Sequence, residues 1–153
     1  MQRAICRVVT CLLVIPAGSA AAQAVEHTVT ISAKVDGKSY QASGPGSCKH
    51  FGQNPDFPTW MAHYSNPEES ALRLDLTYGR NKGSADRLSL TLGTGDASHE
   101  LNSLIPGKGT GTVTMKPAGP GGRFEVKGKN AKGAKIEVSI ACATFQQIEA
   151  EGG

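Results

Sequence analysis

The sequence contains no apolar run long enough to cross a membrane. Its main apolar run, residues 8–15, has eight residues, whereas a membrane-spanning helix needs about 20. A basic start containing Arg3 precedes this run, and small residues ending in Ala22-Gln23-Ala24 follow it. This order is typical of a secretory signal peptide. We therefore expect residues 1–24 to be cleaved after Ala24, leaving an exported protein, periplasmic or secreted, without a transmembrane segment.

The mature chain would carry almost no net charge. The sequence has 16 basic and 13 acidic residues, and removing Arg3 and Arg7 with the signal peptide leaves 14 basic residues. A nearly neutral chain has no long-range attraction to polyanions, so we predict no nucleic-acid partner. Its length, 153 residues less 24, suits a single domain over residues 25–153.

Cysteine is scarce, since only Cys48 and Cys142 would remain after cleavage. In an oxidising compartment, an even pair most simply forms one disulfide. The loop that it closes is long, and the chain-entropy model gives a stabilisation of about 4–5 kcal/mol. The alternative is a metal site made of Cys48, His50 and Cys142. We favour the disulfide because the C-x-H spacing offers no CxxC pair.

Helical periodicity is absent from the mature chain. Short segments of alternating apolar and polar residues follow one another, separated by glycine, proline and asparagine. This pattern predicts an all-β domain, either a single antiparallel β-sandwich or a small β-barrel of about eight short strands with one disulfide. Asp36-Gly37 predicts a type I′ hairpin turn, and Cys142 shares the core-facing side of the last strand. Residues 146–153 are expected to be a frayed tail.

Aromatic residues are few, yet four of the eight lie in the segment CKHFGQNPDFPTWMAHY, residues 48–64. Its prolines and glycines predict a long irregular loop, and loops of that length are often functional. Aromatic rings there could stack on a glycan or hold a small apolar ligand or an envelope protein. The predicted ligand-binding residues are His50, Asp56, Trp60, His63 and Tyr64.

The competing interpretation of this segment is structural. Three aromatic side chains, Phe51, Phe57 and Trp60, could fold inward and close one end of the core, which needs aromatic residues in a chain with so few. If residues 59–64 form a strand, Trp60 and Tyr64 face one way and His63 faces the other. Not all of them can then belong to the core.

Catalytic motifs are missing: the sequence has no GxSxG and no HExxH, and the disulfide would leave no free thiol. We therefore predict no catalytic residues and no cofactor, and favour a non-enzymatic binding protein. The alternative is an envelope or secreted hydrolase in which His50 or His63 works with Asp56 as an acid/base pair.

Basic residues are concentrated between residues 108 and 135, where seven of them accompany a single acid, Glu125. Such a patch could bind an anionic glycan, lipid headgroups or an acidic protein. The interpretation we favour is ordinary cross-strand charge pairing, with Glu125 and Lys127 on one strand and Lys135 and Glu137 on its neighbour.

Cleavage after Ala24 would place His27 third in the mature chain. An α-amine, two backbone amides and an imidazole at position three can hold Cu(II) or Ni(II) in a square plane. The alternative, which we favour, is that His27 only begins the first strand, because motifs this short often match by chance.

Two short stretches resemble known families. The Val35-Asp36-Gly37 turn together with the terminal strand IEVSIAC is slightly similar to mycobacterial 19-kilodalton lipoprotein antigens. The stretch GPGGRF, followed by a strand ending in cysteine, is slightly similar to membrane-associated inhibitors of c-type lysozyme. Each resemblance covers a few turn and strand residues, and we assign the chain to neither family.

Overall fold

The structure, a computed structural model, describes residues 27–52, 56–66, 68 and 71–148. The predicted signal peptide, residues 1–24, lies outside this range. The described residues form eleven strands and no helix, and they include no helix able to cross a membrane. The strands are β1 Thr28–Val35, β2 Lys38–Pro45, β3 Ser47–Phe51, β4 Thr59–Ser65, β5 Leu72–Gly79, β6 Arg87–Thr94, β7 Ala97–Asn102, β8 Thr110–Ala118, β9 Gly121–Lys129, β10 Lys135–Cys142 and β11 Gln146–Gln147.

The strands form two sheets that pack face to face. Sheet A has the order β2-β1-β10-β9-β8, and sheet B has the order β11-β3-β4-β5-β6-β7. All neighbours are antiparallel except β11, which pairs parallel to β3. The all-β prediction is confirmed, and the arrangement is that of a sandwich. Three of the eleven strands, β3, β7 and β11, were not predicted.

The alternating pattern in the sequence forms the core. Along β1, the residues from Val29 to Val35 at every second position are buried, while those between them are exposed. The strands β4, β5, β6 and β10 alternate in the same way. Because successive side chains of a strand point to opposite faces, each strand contributes one side to the core and the other to an outer surface.

The predicted turn at Asp36-Gly37 is present. Both residues have positive φ, 47° at Asp36 and 86° at Gly37, as a type I′ hairpin turn requires. The Asp36 side chain also accepts a hydrogen bond from the backbone N–H of Lys135 at 2.8 Å. The turn therefore fixes the β1–β2 hairpin and the start of β10 together.

The predicted disulfide is confirmed and joins the two sheets. Cys48 on β3 and Cys142 on β10 are both buried and bonded to each other, with 94 residues of sequence separation. With both sulfur atoms in this bond, the alternative metal site at these cysteines is excluded. Gly46 precedes β3 where the chain passes between sheets, and a Cβ there would lie 2.6 Å from Cγ2 of Val29. Only glycine fits that crossing.

Two predictions about irregular segments are wrong. Residues 48–64 are not one long loop, because β3 and β4 form a hairpin in which His50 lies opposite Trp60. The breakers Gly52 and Pro58 lie in the connection and leave both strands free to pair. The tail is not frayed at Gln146 and Gln147, which extend sheet B through backbone pairing with β3. Residues 149–153 lie outside the described part of the chain.

Candidate functional site

The inner side of sheet B carries a row of stacked rings. His50 stacks on Trp60 with 4.9 Å between ring centroids, and Trp60 stacks on Tyr78 at 5.5 Å. These three residues are direct cross-strand neighbours on β3, β4 and β5. Tyr78 then meets Phe124 of sheet A edge to face at 6.4 Å. The row closes one end of the core, as the structural interpretation predicted for Trp60.

Burial removes two of the predicted ligand-binding residues from the surface. Trp60 is 8% exposed and Tyr64 is 1% exposed, so neither presents a ring face to a ligand in solution. The guanidinium of Arg80 lies 5.9 Å from the centroid of the Trp60 ring, which is within range of a cation–π contact. Trp60 is therefore part of the core, and the guanidinium of Arg80 lies against its ring.

The Tyr78 phenol forms a short polar network at the edge of this row. Its hydroxyl donates to Oδ2 of Asp86 at 2.8 Å and accepts from Nε of Arg80 at 3.4 Å. Burial raises the pKa of Tyr78 above its ordinary value of 10.0; the Arg80 hydrogen bond opposes this rise and Asp86 adds to it. The phenol consequently stays neutral and acts as a structural donor.

His50 holds the last strand in place. Its Nδ1 lies 3.0 Å from Oε1 of Gln147, and because a carbonyl oxygen only accepts, Nδ1 carries the proton. The backbone oxygen of His50 accepts from the N–H of Ile148 at 3.0 Å. Nε2 is buried without a hydrogen-bond partner. His50 thus links β3 to β11 and does not point into a surface site.

His63 lies on the opposite side of the hairpin, on the outer face of sheet B. Its Nδ1 is 2.6 Å from Oδ1 of Asp75, and both side chains are more than half exposed. Ser47 lies directly opposite His63 on β3. His50 and His63 point to opposite faces of the sheet, so the two candidate histidines do not face a common ligand.

Asp56 lies in the connection between β3 and β4, apart from the other four predicted residues. Its Oδ1 is 3.4 Å from Nζ of Lys82, and its carbonyl accepts from the Lys82 backbone at 3.2 Å. The five predicted residues therefore occupy three places: the core, the outer face at His63 and this connection.

A different part of the same segment shapes the surface. Phe57 packs over the end of β5, where a Cβ on Gly79 would lie 2.7 Å from the ring. Beside Phe57 lies a depression of about 210 Å³ with an almost wholly apolar lining. Its lining residues are Phe57, Thr59, Thr77, Gly79, Arg87, Leu88, Ser89 and Leu104. We call it the Phe57 depression.

The surroundings of the Phe57 depression are apolar and exposed. Leu104, in the connection between β7 and β8, is 61% exposed, and its neighbour Ile105 is also exposed. Met61, opposite Thr77 on the outer face, is 40% exposed. The guanidinium of Arg87 lies 4.7 Å from the centroid of the Phe57 ring. Sequence reasoning missed Leu104 and Arg87; the only signal was an apolar Leu-Ile pair inside a turn.

His27 lies beside the C-terminal end of the described chain. Its Nδ1 is 3.1 Å from the hydroxyl of Thr144, and its Nε2 is 2.9 Å from Nε2 of Gln146. Both ring nitrogens thus have protein partners, and a square-planar copper site would have to displace Thr144. Val25 and Glu26 lie outside the described residues, within which no group of three metal-binding side chains occurs.

No family model matches the chain, and neither a curated protein nor a solved structure is similar to it. Functional assignment therefore depends on the surface itself.

Proposed function

We propose that this chain is a non-enzymatic binding domain that recognises a partner protein of the cell envelope through the Phe57 depression. The observation that carries this proposal is the group of exposed apolar side chains around one apolar hollow, which no other part of the described chain covers. A solvent-facing group of this kind marks an interaction site more often than an isolated exposed leucine does.

The size of the hollow favours a protein side chain over a free small molecule. Pockets that enclose a small molecule usually measure about 300–1,000 Å³, and this one is smaller, at about 210 Å³. Its lining offers few polar groups to the hydroxyls of a sugar ring. One apolar side chain of a partner would fill it, while Met61 and Leu104 contact the surrounding partner surface.

Arg87 adds a polar rim to this surface. Its guanidinium lies over Phe57, and none of the four ion pairs among the described residues includes it. Arginine beside an apolar anchor is common at the centres of interfaces, because it combines a flat apolar surface with five hydrogen-bond donors. We therefore expect an acidic or carbonyl-rich group in the partner next to its apolar anchor.

A photo-crosslinking amino acid at position 104 tests the proposal in the source cells, with the same amino acid at Ser43, on the outer face of sheet A, as the control. The protein captured only at position 104 is then purified and titrated with the isolated domain. We expect Leu104→Asp to weaken this binding at least about tenfold, since a buried unpaired charge is costly, and Ser43→Asp to leave it unchanged. No adduct beyond the control, equal weakening by both variants, or tighter binding of peptidoglycan fragments than of protein would refute it.

A hydrolase is the second candidate, and one observation favours it. Ser47, His63 and Asp75 lie side by side on β3, β4 and β5, with the His63–Asp75 contact already formed. The order matches the nucleophile, base and orienting acid of acyl hydrolases. Among the described residues, however, no hydrogen bond joins Ser47 to His63, and the row lies on an open face. Labelling of Ser47 by a fluorophosphonate would support hydrolysis, and absence of labelling at millimolar reagent would dismiss it.

A further inference from the structure

The outer face of sheet A carries a second depression, opposite in character to the first. It measures about 580 Å³, and its floor is the backbone of β8, β9 and β10 where they lie side by side. The side chains that rise around it are those of Thr110, Thr112, Lys127, Lys129, Lys135 and Glu137. We call it the lysine groove.

The lysines of this groove are not neutralised by ion pairs. Lys129 lies directly opposite Lys135 across β9 and β10, and like charges in that position destabilise a sheet. The expected pair of Lys127 and Glu137 is in register, but none of the ion pairs among the described residues involves these lysines. The cross-strand pairing expected from the sequence therefore leaves an excess of positive charge here.

Glu137 is flanked on both sides by a cation. It lies opposite Lys127 on β9 and opposite Lys34 on β1, so two cations accompany one carboxylate in this row. Its carboxylate still has lone pairs that can accept hydrogen bonds, and Thr110 and Thr112 add hydroxyls on the other side. The groove thus combines three ammonium groups with acceptors suited to hydroxyl groups.

We propose that the lysine groove binds an acidic saccharide, a short stretch of a polymer whose sugar rings carry carboxylate or sulfate groups. The ammonium groups of Lys127, Lys129 and Lys135 contact the acidic groups. Glu137 and the two threonines hydrogen-bond the ring hydroxyls. Neighbouring strands are about 4.8 Å apart and alternate residues of one strand about 6.7 Å, so the three lysines present charge over the width of about one sugar ring.

Other anionic ligands fit this surface less well. An anionic lipid surface also attracts lysines, but firm binding requires apolar side chains that insert, and the outward residues around the groove are threonine, lysine and glutamate, while Ile136 is fully buried. Single-stranded nucleic acid is held by stacking on aromatic residues, and the groove has none. A polyphosphate would form no hydrogen bond with the Glu137 carboxylate, because it has no sugar hydroxyls to donate. A hydroxyl-rich anion uses every group present.

Titration of the purified protein with defined oligomers, followed by amide chemical shifts, tests the proposal. The probes are a galacturonate hexasaccharide for carboxylate and a heparin hexasaccharide for sulfate, with maltohexaose as the neutral match. We expect one or both acidic probes to shift the amides of residues 110–112, 127–129 and 135–137, with an affinity that falls as salt is added. Maltohexaose should produce no shifts there.

Two triple variants with equal loss of charge separate the groove from net charge. We expect Lys127→Gln, Lys129→Gln and Lys135→Gln together to weaken the acidic probe at least about tenfold, because charge-assisted contacts to an oxyanion are lost. The matched control replaces Lys38, Lys49 and Lys82, all outside the groove, with glutamine. It should change the affinity for the acidic probe less than about twofold.

Several outcomes would overturn the proposal. Absence of binding at millimolar hexasaccharide would do so, as would equal weakening by the two triple variants, since net charge alone would then explain the binding. Tighter binding of polyphosphate, single-stranded DNA or phosphatidylglycerol vesicles than of both acidic hexasaccharides would show a different ligand class. Each variant is checked for folding by a melting temperature no lower than that of the wild type, since removal of the Lys129–Lys135 repulsion should raise it.

Discussion

The two faces of the β3–β4 hairpin have different roles, although the residues of both faces alternate along the same two strands. The inward side carries Cys48, His50 and Trp60, which form the disulfide and the stacked rings. The outward side carries Met61 and His63, both exposed. The inward residues determine stability, and the outward residues determine what the molecule can touch.

This difference shows why a local excess of aromatic residues is an ambiguous signal. The segment of residues 48–64 attracted attention through Trp60, and that ring belongs to the core. Phe57, the ring that does shape the surface, lies in the connection, where no strand alternation fixes its direction. A search for sites by aromatic content therefore finds the segment that contains Phe57 but selects Trp60, which is buried.

The largest effect should come from the inward Cys48. Replacing Cys48 and Cys142 by alanine removes a cross-link between residues 94 apart and should lower the free energy of unfolding by about 4–5 kcal/mol. Chemical denaturation of the oxidised protein and the variant measures this. An unchanged midpoint would mean that the two sheets pack equally well without the cross-link. The inward side would then contribute less to the free energy of unfolding than we infer.

The next test compares neighbours that face opposite ways. Trp60→Ala should lower the free energy of unfolding by about 3–5 kcal/mol, because it leaves a cavity under the ring stack. Met61→Ala, at a side chain 40% exposed, should change it by less than about 0.5 kcal/mol. Equal losses at both positions would contradict the division between the two sides.

A smaller effect concerns Tyr78, which continues the inward row on β5. Tyr78→Phe removes the hydroxyl that donates to Asp86 and should cost about 1–2 kcal/mol at neutral pH.

The pH dependence of that effect follows from the raised pKa of Tyr78. The unfolded chain releases the phenolic proton at a lower pH than the folded chain, so this stabilisation is complete below pH 10 and declines as pH rises through the folded value. Unfolding free energies between pH 7 and pH 11 should therefore fall more steeply for the wild type than for Tyr78→Phe. Parallel profiles would contradict the prediction.

The smallest effect belongs to the outward His63. Its contact with Asp75 is more than half exposed on both sides, and exposed ion pairs contribute little. His63→Ala should change the free energy of unfolding by less than about 0.5 kcal/mol, measured at pH 6 and pH 8. A loss as large as that of Trp60→Ala would show that the outer face also supports the fold.

The sequence predicts β1, β5, β6 and β10 because apolar residues, which are buried, alternate with polar residues along these strands. It predicts the disulfide because Cys142 shares the register of Ile140. It does not predict β3, in which an inward polar residue, His50, breaks the alternation. It also misses β7, where Leu101 alone is buried, and β11, which is held by backbone pairing.

The surface sites are harder to predict because they combine distant segments. Phe57 and Leu104 meet only through the order of β5, β6 and β7 in sheet B, which is not readable from their own residues. Lys129 and Lys135 are close in sequence, but whether they oppose each other or opposite charges depends on the register of β9 and β10. A shift of that register would place Lys129 opposite a residue other than Lys135.

The disulfide has a further consequence for how the molecule survives proteases. Cys48 and Cys142 enclose six complete strands, β4 to β9, together with the exposed connection at residues 103–109. A single cut in that connection leaves both pieces joined by the disulfide and by the pairing of β10 with β1. Under oxidising conditions the nicked protein stays one molecule, heavier only by the water added in hydrolysis, and it separates into fragments only when the bond is reduced and the chain is denatured.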